Sequence, residues 1–442
     1  MNLIYNVKDK PKFGQVLVFA FQQVLAILAA TIAVPSIIGN GMSQSAALFG
    51  AGIGTIVYLL FTKFNSPVFL GSSFAFLGSM FAAFASAASM ALGYLGLILG
   101  AVFAGLVYVI LSIVVKFAGV KWINKLMPPV IIGPTVAIIG LSLAGNAIGD
   151  LSKGSVETTS PYIALLCGLV TLAVTMLASV YGKKMLKMIP FIIGIGAGYA
   201  VAAILTVIGN VAGIDSIKVI NFALFENMQW VPDFTFLTAV KGFADLDANY
   251  VLTIAFAYVP VAFVVFAEHI ADHKNLSSII GQDLLEEPGL NRTLLGDGVG
   301  SIVGSIFGGC PNTTYGESVG CVAISGNASV VTIFTTAIMA IAASFVAPFV
   351  TFLATIPACV MGGVCIALYG FIAVSGLKMI QGVDLNDNRN LFPVSTILIA
   401  GVGGLSISFT LFGGTITITT IACALILGIL ANVMLSGKKA DK

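Results

Sequence analysis

Among the acidic residues, a small group lies inside or at the edge of long apolar runs: Glu268, Asp272, Asp297 and Glu317. An ionised carboxylate at mid-membrane costs roughly 2.5–3.5 kcal/mol on insertion scales, so such a residue is by default a candidate for a functional site facing a cavity. Glu268 and Asp272 are spaced one helical turn apart, on the same helix face. Asp297 lies close to Arg292 near the start of a run, so a helix cap or an ion pair explains it equally well.

Glu317 belongs to a short polar stretch, CPNTTYGESVG at residues 310–320, that interrupts the apolar pattern. An extended backbone there needs hydrogen-bond partners, because hydrocarbon offers none. The stretch SPVFLGSSFAF around Pro67 has the same character, and we expect residues 66–73 and 310–316 to pair as short strands. Each strand would lead into a half-helix whose N-terminus presents free N–H groups and partial positive charge to a ligand. Glu317 would accept hydrogen bonds from that ligand; alternatively, it only caps the half-helix.

Phe74 would stand at the opposite half-helix, where a flat ligand could stack on its ring. Carboxylates alone would suit a cation, and backbone N–H groups alone would suit an anion. Carboxylates, backbone donors and an aromatic ring together suit a small planar ligand with alternating N–H donors and C=O acceptors. The combination indicates a nucleobase.

The chain has only two histidines, His269 and His273, which stand beside the paired acids. Their order, E-H-x-x-D-H, differs from the H-E-x-x-H of zinc peptidases, and no third group of ligands is visible. We therefore expect no metal site and expect both imidazoles to face cytoplasmic water. The cysteines lie in or at the ends of apolar runs without a C-x-x-C pair, so we expect small apolar packing residues rather than disulfides.

The composition explains why these polar residues stand out. The chain has 442 residues, of which 58% are hydrophobic and 9% charged, with a mean hydropathy of +1.07. Soluble domains carry roughly 25% charged residues. The chain is therefore predicted to be an all-α polytopic membrane protein in contact with lipid. A net charge of +2 without a basic stripe gives no indication of nucleic-acid binding. The first apolar run is too long for a signal peptide, so we expect a retained span.

Fourteen apolar segments are predicted, near residues 14–34, 44–62, 68–80, 90–115, 128–147, 161–180, 188–209, 249–269, 293–308, 312–325, 329–349, 356–376, 392–411 and 415–435. An even count places both termini on one side. All Lys and Arg residues except Lys153, Lys218 and Lys241 then lie on that side, which the positive-inside rule makes cytoplasmic.

The longest stretch that is not apolar, about residues 210–248, divides the segments into seven and seven. Because seven is odd, two homologous halves would be inverted relative to each other. Pro67 and Pro311 lie in the short third segment of each half. Short, Gly- and Pro-interrupted segments at matching places in two halves indicate the central site of a transporter.

With these motifs in view, the chain resembles the nucleobase–cation symporters of the nucleobase–ascorbate transporter family, and bacterial uracil permeases most of all. The similar motifs are QQVLAILAATIAVP (22–35), FLGSSFAF (69–76), AEHIADH (267–273), DLLEEPGLNR (283–292), GGCPNTTYGESVG (308–320) and MGGVCIALYG (361–370). The resemblance implies two inverted seven-span repeats and a homodimer. It also implies a core domain formed by residues 14–115 and 249–349 and a gate domain formed by residues 128–209 and 356–435.

The resemblance also implies the roles of individual residues. Glu268 and Glu317 would hydrogen-bond the uracil ring, and Ala30 would line the pocket. The other implied site residues are Gly316 and Phe74 as the half-helix donors, with Phe74 also packing on the base, and Tyr369 facing the site from the gate domain. The chain departs from the family where asparagine commonly follows the half-helix acid, since Ser318 stands there. Some uracil permeases have histidine where this chain has Asp272.

The sequence thus predicts a transporter rather than an enzyme. We expect proton-coupled import of uracil by alternating access in the cytoplasmic membrane, with Glu268 or Asp272 carrying the proton and no cofactor beyond the coupling ion, H⁺. A purine base such as xanthine or urate is the first alternative. An inorganic anion fits less well, because Glu268 and Glu317 would repel it. An intramembrane enzyme would need a nucleophile or metal cluster at mid-membrane, which the sequence does not show.

Overall fold

A computed structural model describes residues 3–119, 128–183, 186, 189–411 and 414–435. Helices dominate, as expected where backbone groups must be satisfied within the chain. The first half contains α1 (Phe13–Ile38), α2 (Gln44–Phe61), β1 (Leu70–Ser72), α3 (Leu77–Ala85), α4 (Met90–Ala118), α5 (Pro129–Ser142), α6 (Ala144–Asp150), α7 (Pro161–Tyr181) and α8 (Pro190–Ala212). A 3₁₀ turn, Phe74–Phe76, leads from β1 into α3.

The second half begins with the short helix α9 (Thr235–Ala239) and the long helix α10 (Ala248–Ile280). The elements that follow are α11 (Leu290–Gly308), β2 (Asn312–Thr314), α12 (Gly316–Ser325), α13 (Val330–Ala343), α14 (Ala347–Ala354), α15 (Ala358–Met379), α16 (Asn388–Val402), β3 (Ile407–Leu411), β4 (Gly414–Ile418) and α17 (Thr420–Leu435).

Eight helices in the described part of the chain are long and apolar enough to cross a membrane, with α5 and α6 counted together. Helices α13 and α14 meet at an angle of 82° and would make a ninth span as a bent pair. Every predicted segment overlaps at least one helix, but several are short or broken. The count of fourteen spans therefore stays a prediction.

The last two predicted segments differ from the structure. Segment 392–411 was expected to be one apolar span, yet α16 ends at Val402 and an antiparallel hairpin, β3–β4, follows. Gly404 has a φ of +74°, which suits glycine and ends the helix. The β-branched and aromatic residues of ISFTL and GTITI then favour strands over a helix.

Small residues bring the helices around the site close together. Helices α2 and α11 pack through glycines, and a Cβ on Gly54 would lie 2.8 Å from the carbonyl oxygen of Gly300. Helix α4 packs on α11 in the same way through Gly105 and Gly298. Such contacts replace the hydrophobic effect, which does not drive helices together in lipid.

The helices form two packed groups. Helices α1, α2, α4, α10, α11 and α13 pack on one another, with α11 against both α2 and α4. In the second group α15 packs against α5 and α7, α7 against α8, and α16 against α17. The paired strands β1 and β2 lie in the first group.

Candidate functional site

Two short strands from opposite halves of the chain meet beside the site. β1 pairs antiparallel with β2, with Leu70 opposite Thr314 and Ser72 opposite Asn312. The Ser73 N–H also donates to the carbonyl of Pro311 at 2.9 Å. The extended backbones thus satisfy each other's hydrogen-bonding groups where hydrocarbon could not.

The pairing needs a glycine on β1. The Tyr315 ring crosses the strand and its hydroxyl donates to the Ser72 carbonyl at 2.9 Å. A Cβ on Gly71 would lie 2.8 Å from the same hydroxyl oxygen, too close for a real contact. Thr55 of α2 supports the strand from behind, because its hydroxyl oxygen accepts from the Leu70 N–H at 2.9 Å.

Three of the predicted acids line one cavity of about 480 Å³. Glu268 and Asp272 reach it from α10, and Glu317 reaches it from the first turn of α12 together with Gly316, whose N–H begins that helix. The remaining wall combines residues of both packed groups: Ala26, Val136, Pro190, Phe191, Ala271, Asn275, Gly320, Cys321, Ile324, Leu368, Phe371, Ile372, Ser375 and Met379. The cavity is thus mostly apolar, with carboxyl groups and a helix N-terminus on one side.

Asp272 is held by the strand pair. The Thr314 hydroxyl donates to Asp272 Oδ2 at 2.6 Å. Thr314 ends β2, so the same short strand that leads into the half-helix also orients a carboxylate on α10. Asp272 therefore reaches the cavity with one carboxylate oxygen already hydrogen-bonded within the protein.

The two histidines lie on the other side of α10 and are fully buried, so the expectation that they face cytoplasmic water was wrong. His269 Nδ1 donates to Asp297 Oδ2 at 2.6 Å, and its Nε2 lies 3.0 Å from the Thr293 hydroxyl. This face of α10 packs against the other helices of the first group rather than against water, because the adjacent Glu268 takes the cavity face. Asp297 thus pairs with a histidine from another helix instead of with the nearby Arg292.

His273 continues the buried network. Its Nδ1 donates to the His269 carbonyl at 2.8 Å, so Nε2 accepts from the Tyr58 hydroxyl at 2.7 Å. Tyr58 in turn lies 2.7 Å from the Ser66 hydroxyl, just before β1. The two imidazoles stack with their centroids 4.0 Å apart. The sequence could not reveal these partners, since they come from segments far along the chain.

The other residues implied by resemblance lie outside the lining of this cavity. Phe74 lines a second cavity of about 300 Å³ and packs edge-on against Tyr369, with ring centroids 5.9 Å apart. Ala30 is buried one helical turn beyond Ala26, which does line the larger cavity. Phe74 and Tyr369 therefore contact each other outside the lining of the 480 Å³ cavity, and their role toward a substrate stays a prediction.

Gln23 of α1 is a residue that sequence reasoning did not single out. Its side-chain amide donates to the Ser318 hydroxyl at 2.5 Å and to the Ser318 carbonyl at 3.3 Å. Ser318 follows Glu317 directly, so α1 holds the first turn of the half-helix. The buried amide inside an otherwise apolar run was the available signal, since such a group needs a partner.

Among the described residues, no group of three or more His, Cys, Asp or Glu side chains could hold a metal ion. The cysteines are buried free thiols, as the prediction of packing residues required.

Comparison with known proteins identifies the family of the chain. A model of a permease family matches residues 14–410. The chain belongs to the permease family. A uracil permease of Bacillus caldolyticus is 38% identical to this permease-family chain over 437 residues, covering 98% of the chain and 95% of the relative. A uracil permease of Bacillus subtilis (strain 168) is 36% identical over 445 residues, covering 99% and 96%. The resemblance to bacterial uracil permeases is confirmed.

The fold of this family member matches a solved transporter structure. The transmembrane domain of a cyanobacterium bicarbonate transporter, BicA, superposes with a TM-score of 0.65 at 16% identity, covering 97% of this chain and 99% of that domain. At that identity the likeness shows a shared fold and nothing about substrate. Together with the apolar helices, the comparisons establish a multi-pass membrane protein with many helices, whose relatives are permeases.

Proposed function

We propose that this chain imports uracil together with protons across the cytoplasmic membrane by alternating access. One observation carries the proposal: the acids Glu268, Asp272 and Glu317 and the Gly316 N-terminus of a half-helix meet in one cavity of about 480 Å³. That volume falls within the range of about 300–1,000 Å³ that is usual for small-molecule sites.

The chemistry of the cavity suits the edge of a pyrimidine. Uracil is a flat, neutral ring that presents N–H donors and C=O acceptors. A carboxylate at Glu317 or Glu268 accepts from a ring N–H, while the free N–H groups at the start of α12 donate to a ring carbonyl. The names of the relatives, uracil permeases, support this choice of base.

The proton role rests on the acids that share the cavity. Burial away from water disfavours the charged form of a carboxyl group, and no Lys or Arg is found among the described residues that line the cavity. Glu268 or Asp272 would take a proton from outside and release it when the site opens to the cytoplasm. A protonated Glu268 could both donate to and accept from the base, which links proton binding to uracil binding.

The architecture expected of such a transporter extends beyond the site. Fourteen spans in two inverted seven-span repeats would place both termini in the cytoplasm. Core segments 14–115 and 249–349 would then move against gate segments 128–209 and 356–435. The pairing of β1 with β2 and the two packed helix groups support this division. A homodimer, the absence of a cofactor and the absence of enzyme activity belong to the same proposal.

Uptake of radiolabelled uracil by proteoliposomes tests the function. An imposed inward proton gradient should accelerate uptake, and Glu268→Gln should abolish that acceleration. The matched control is Glu286→Gln, an exposed acid in the connection after α10. If the unaltered protein takes up uracil at the same rate with and without the gradient, proton coupling is overturned and uracil transport still stands.

A purine base is the second candidate, because a cavity of about 480 Å³ also has room for a bicyclic ring. Thermal-shift measurements of the purified protein with uracil, xanthine, hypoxanthine, urate and sulfate separate the candidates. Stabilisation by uracil alone supports the proposal. Stabilisation by a purine would make a purine base the proposed substrate. Stabilisation by sulfate would instead favour an inorganic anion, the kind of substrate that other proteins of this fold carry.

A further inference from the structure

We propose that residues 4–9, the N-terminal strap, position the half-helix α12 in the wall of the 480 Å³ cavity. Five residues of this ten-residue helix line the cavity, from its first residue to its last turn: Gly316, Glu317, Gly320, Cys321 and Ile324. A tilt of α12 would therefore move the Glu317 carboxylate and the N–H groups at the start of the helix together. The consequence for uracil rests on the proposed function, whereas the restraint on α12 does not.

The strap is bonded to the residue that ends α12. The Gly326 carbonyl accepts from the Ile4 N–H at 2.7 Å and from the Tyr5 N–H at 3.2 Å. Gly326 has a φ of +66°, which suits glycine at a helix C-terminus. A Cβ there would lie 3.3 Å from the Ile4 side chain, so the absence of one also lets the strap approach. The strap thus restrains the last turn of α12, at the end opposite Glu317.

The strap continues along the connection between α12 and α13, where Tyr5 forms a parallel bridge with Asn327. Three donors from this connection bind alternate carbonyl groups of the strap: the Ala328 N–H donates to Tyr5 at 2.9 Å, the Ser329 hydroxyl to Asp9 at 2.6 Å and the Val330 N–H to Val7 at 3.0 Å. Alternate residues face the same way along an extended chain, so the strap pairs like a short strand. Val7 and Ser329 are buried, which shields these hydrogen bonds from water.

The strap is also bonded to α1. Gln15 Oε1 accepts from the Tyr5 hydroxyl at 2.9 Å and from the Lys12 N–H at 3.2 Å. Asp9 Oδ2 accepts from the Asn6 N–H at 2.7 Å and closes a turn within the strap. The strap therefore has its own bend and its own anchor, and its path is set without a substrate.

Helix α1 thereby restrains α12 at both ends. Gln23 of α1 donates to Ser318 in the first turn of α12, and the strap, which precedes α1, binds Gly326 after the last turn. None of the described residues that line the cavity belongs to the strap. The strap would therefore act on a substrate only by keeping α12 in place. Apparent affinity falls with the fraction of molecules in the binding-competent conformation, so loss of the strap should weaken binding.

Alkylation of Cys321 reports on the position of α12 without any substrate. Cys321 lies on α12 in the cavity wall and is only 4% exposed. Deletion of residues 2–9 should accelerate its reaction with N-ethylmaleimide at least ~10-fold, because each loss of about 1.4 kcal/mol in contacts shifts the displacement of α12 tenfold. Cys167 of α7 is fully buried and is the internal reference, whose rate should not change. Mass spectrometry of the purified protein in detergent identifies the modified thiol.

Two side-chain substitutions test the strap in a chain of full length. Tyr5→Phe removes the hydrogen bond to Gln15, and Ser329→Ala removes the one to the Asp9 carbonyl. The double variant should also accelerate Cys321 alkylation, and it keeps the test open if the deletion does not fold. Lys8→Gln is the matched control, because Lys8 belongs to the strap but its side chain is exposed. Its alkylation rate should equal that of the unaltered protein.

Isothermal titration of uracil tests the consequence for binding. Affinity of the deletion variant should fall roughly 3- to 10-fold, as expected when only about 0.1–0.3 of the molecules keep α12 in place. A lower melting temperature with unchanged Cys321 alkylation would overturn the proposal, because the strap would then only stabilise the fold. Faster alkylation with unchanged uracil affinity would overturn the positioning role. If the unaltered protein binds no uracil while the deletion still accelerates alkylation, the proposed function fails and the restraint on α12 stands.

Discussion

Gln23 and Ser318 are joined across two helices by a buried hydrogen bond of 2.5 Å, from the side-chain amide to the hydroxyl. Gln23 belongs to α1, and Ser318 is the residue directly after Glu317 in α12. The position where related proteins commonly have asparagine is therefore occupied by a shorter side chain that receives its hydrogen bond from α1. This contact ties the first turn of the half-helix to α1.

Replacement of Gln23 should loosen that turn. Gln23→Leu keeps the volume but leaves the Ser318 hydroxyl buried without its partner, which should cost about 1–3 kcal/mol of stability. Ser318→Ala in the Gln23→Leu background should restore part of the loss. Thermal unfolding of the two single variants and the double variant gives the coupling energy. Strictly additive losses would contradict a direct interaction.

The acid of the half-helix should matter for binding more than for folding. Glu317→Gln retains the shape and one acceptor but removes the charge, so uracil affinity should fall by roughly 10- to 100-fold, as expected for a hydrogen bond to a charged group. Isothermal titration of uracil measures the change. Glu286→Gln serves as control because Glu286 is exposed and lies outside the cavity. Unchanged affinity in Glu317→Gln would restrict this acid to capping α12.

Thr314→Val should alter how uptake depends on external pH. The variant removes the donor to Asp272 while keeping a β-branched residue that suits a strand. An ionised carboxylate can only accept hydrogen bonds, so losing the Thr314 donor weakens the site most where Asp272 is charged. Uptake by the variant should therefore fall more at high pH than at low pH. Uptake rates across a pH series in proteoliposomes provide the measurement. Thr313→Val, the neighbouring strand residue whose hydroxyl has no partner among the described residues, is the control.

The buried imidazole network predicts a difference between two tyrosines. Tyr58→Phe leaves His273 Nε2 and the Ser66 hydroxyl without their shared partner, so stability should fall by about 1–3 kcal/mol. Tyr258→Phe removes a hydroxyl that bonds nothing in the described chain and should be close to neutral. Melting temperatures in the same detergent compare them. Equal effects would show that the network does not stabilise the fold.

The strand pair predicts a third contrast, between two glycines. Gly71→Ala would force its methyl group into the Tyr315 ring and should destabilise the protein by about 1–3 kcal/mol, the usual cost of overpacking. Gly78 in α3 has open space where a Cβ would stand, so Gly78→Ala should be neutral or gain up to about 1 kcal/mol in helix propensity. Melting temperatures again decide, and a harmless Gly71→Ala would contradict the close crossing.

Much of the site could be predicted from the sequence because its signals are local. A proline-interrupted polar stretch in an apolar chain requires backbone partners, and this reasoning led to the two stretches that form β1 and β2. The isolated carboxylates of α10 and α12 were recognisable because charged residues are rare and costly inside membrane-spanning segments.

Other parts depended on distant partners and could not be predicted. Whether His269 faces water or protein depends on where Asp297 lies, and no local pattern states that. The contact between Gln23 and Ser318 depends on α12 packing beside α1, which no local sequence pattern indicates. The β3–β4 hairpin was missed because its isoleucine, phenylalanine and leucine residues make it apolar enough to resemble a span, and only Gly403 and Gly404 mark the end of the helix.

The pairing of Leu70 with Thr314 has a consequence for how the chain is made. The two residues are 244 positions apart, and a ribosome adds about 5–20 residues per second. Strand β1 therefore enters the membrane some tens of seconds before its partner is synthesised. During that interval its amide groups must be covered by water, by another helix or by the insertion machinery. The first half of this protein therefore cannot complete its folding until the second half has been synthesised.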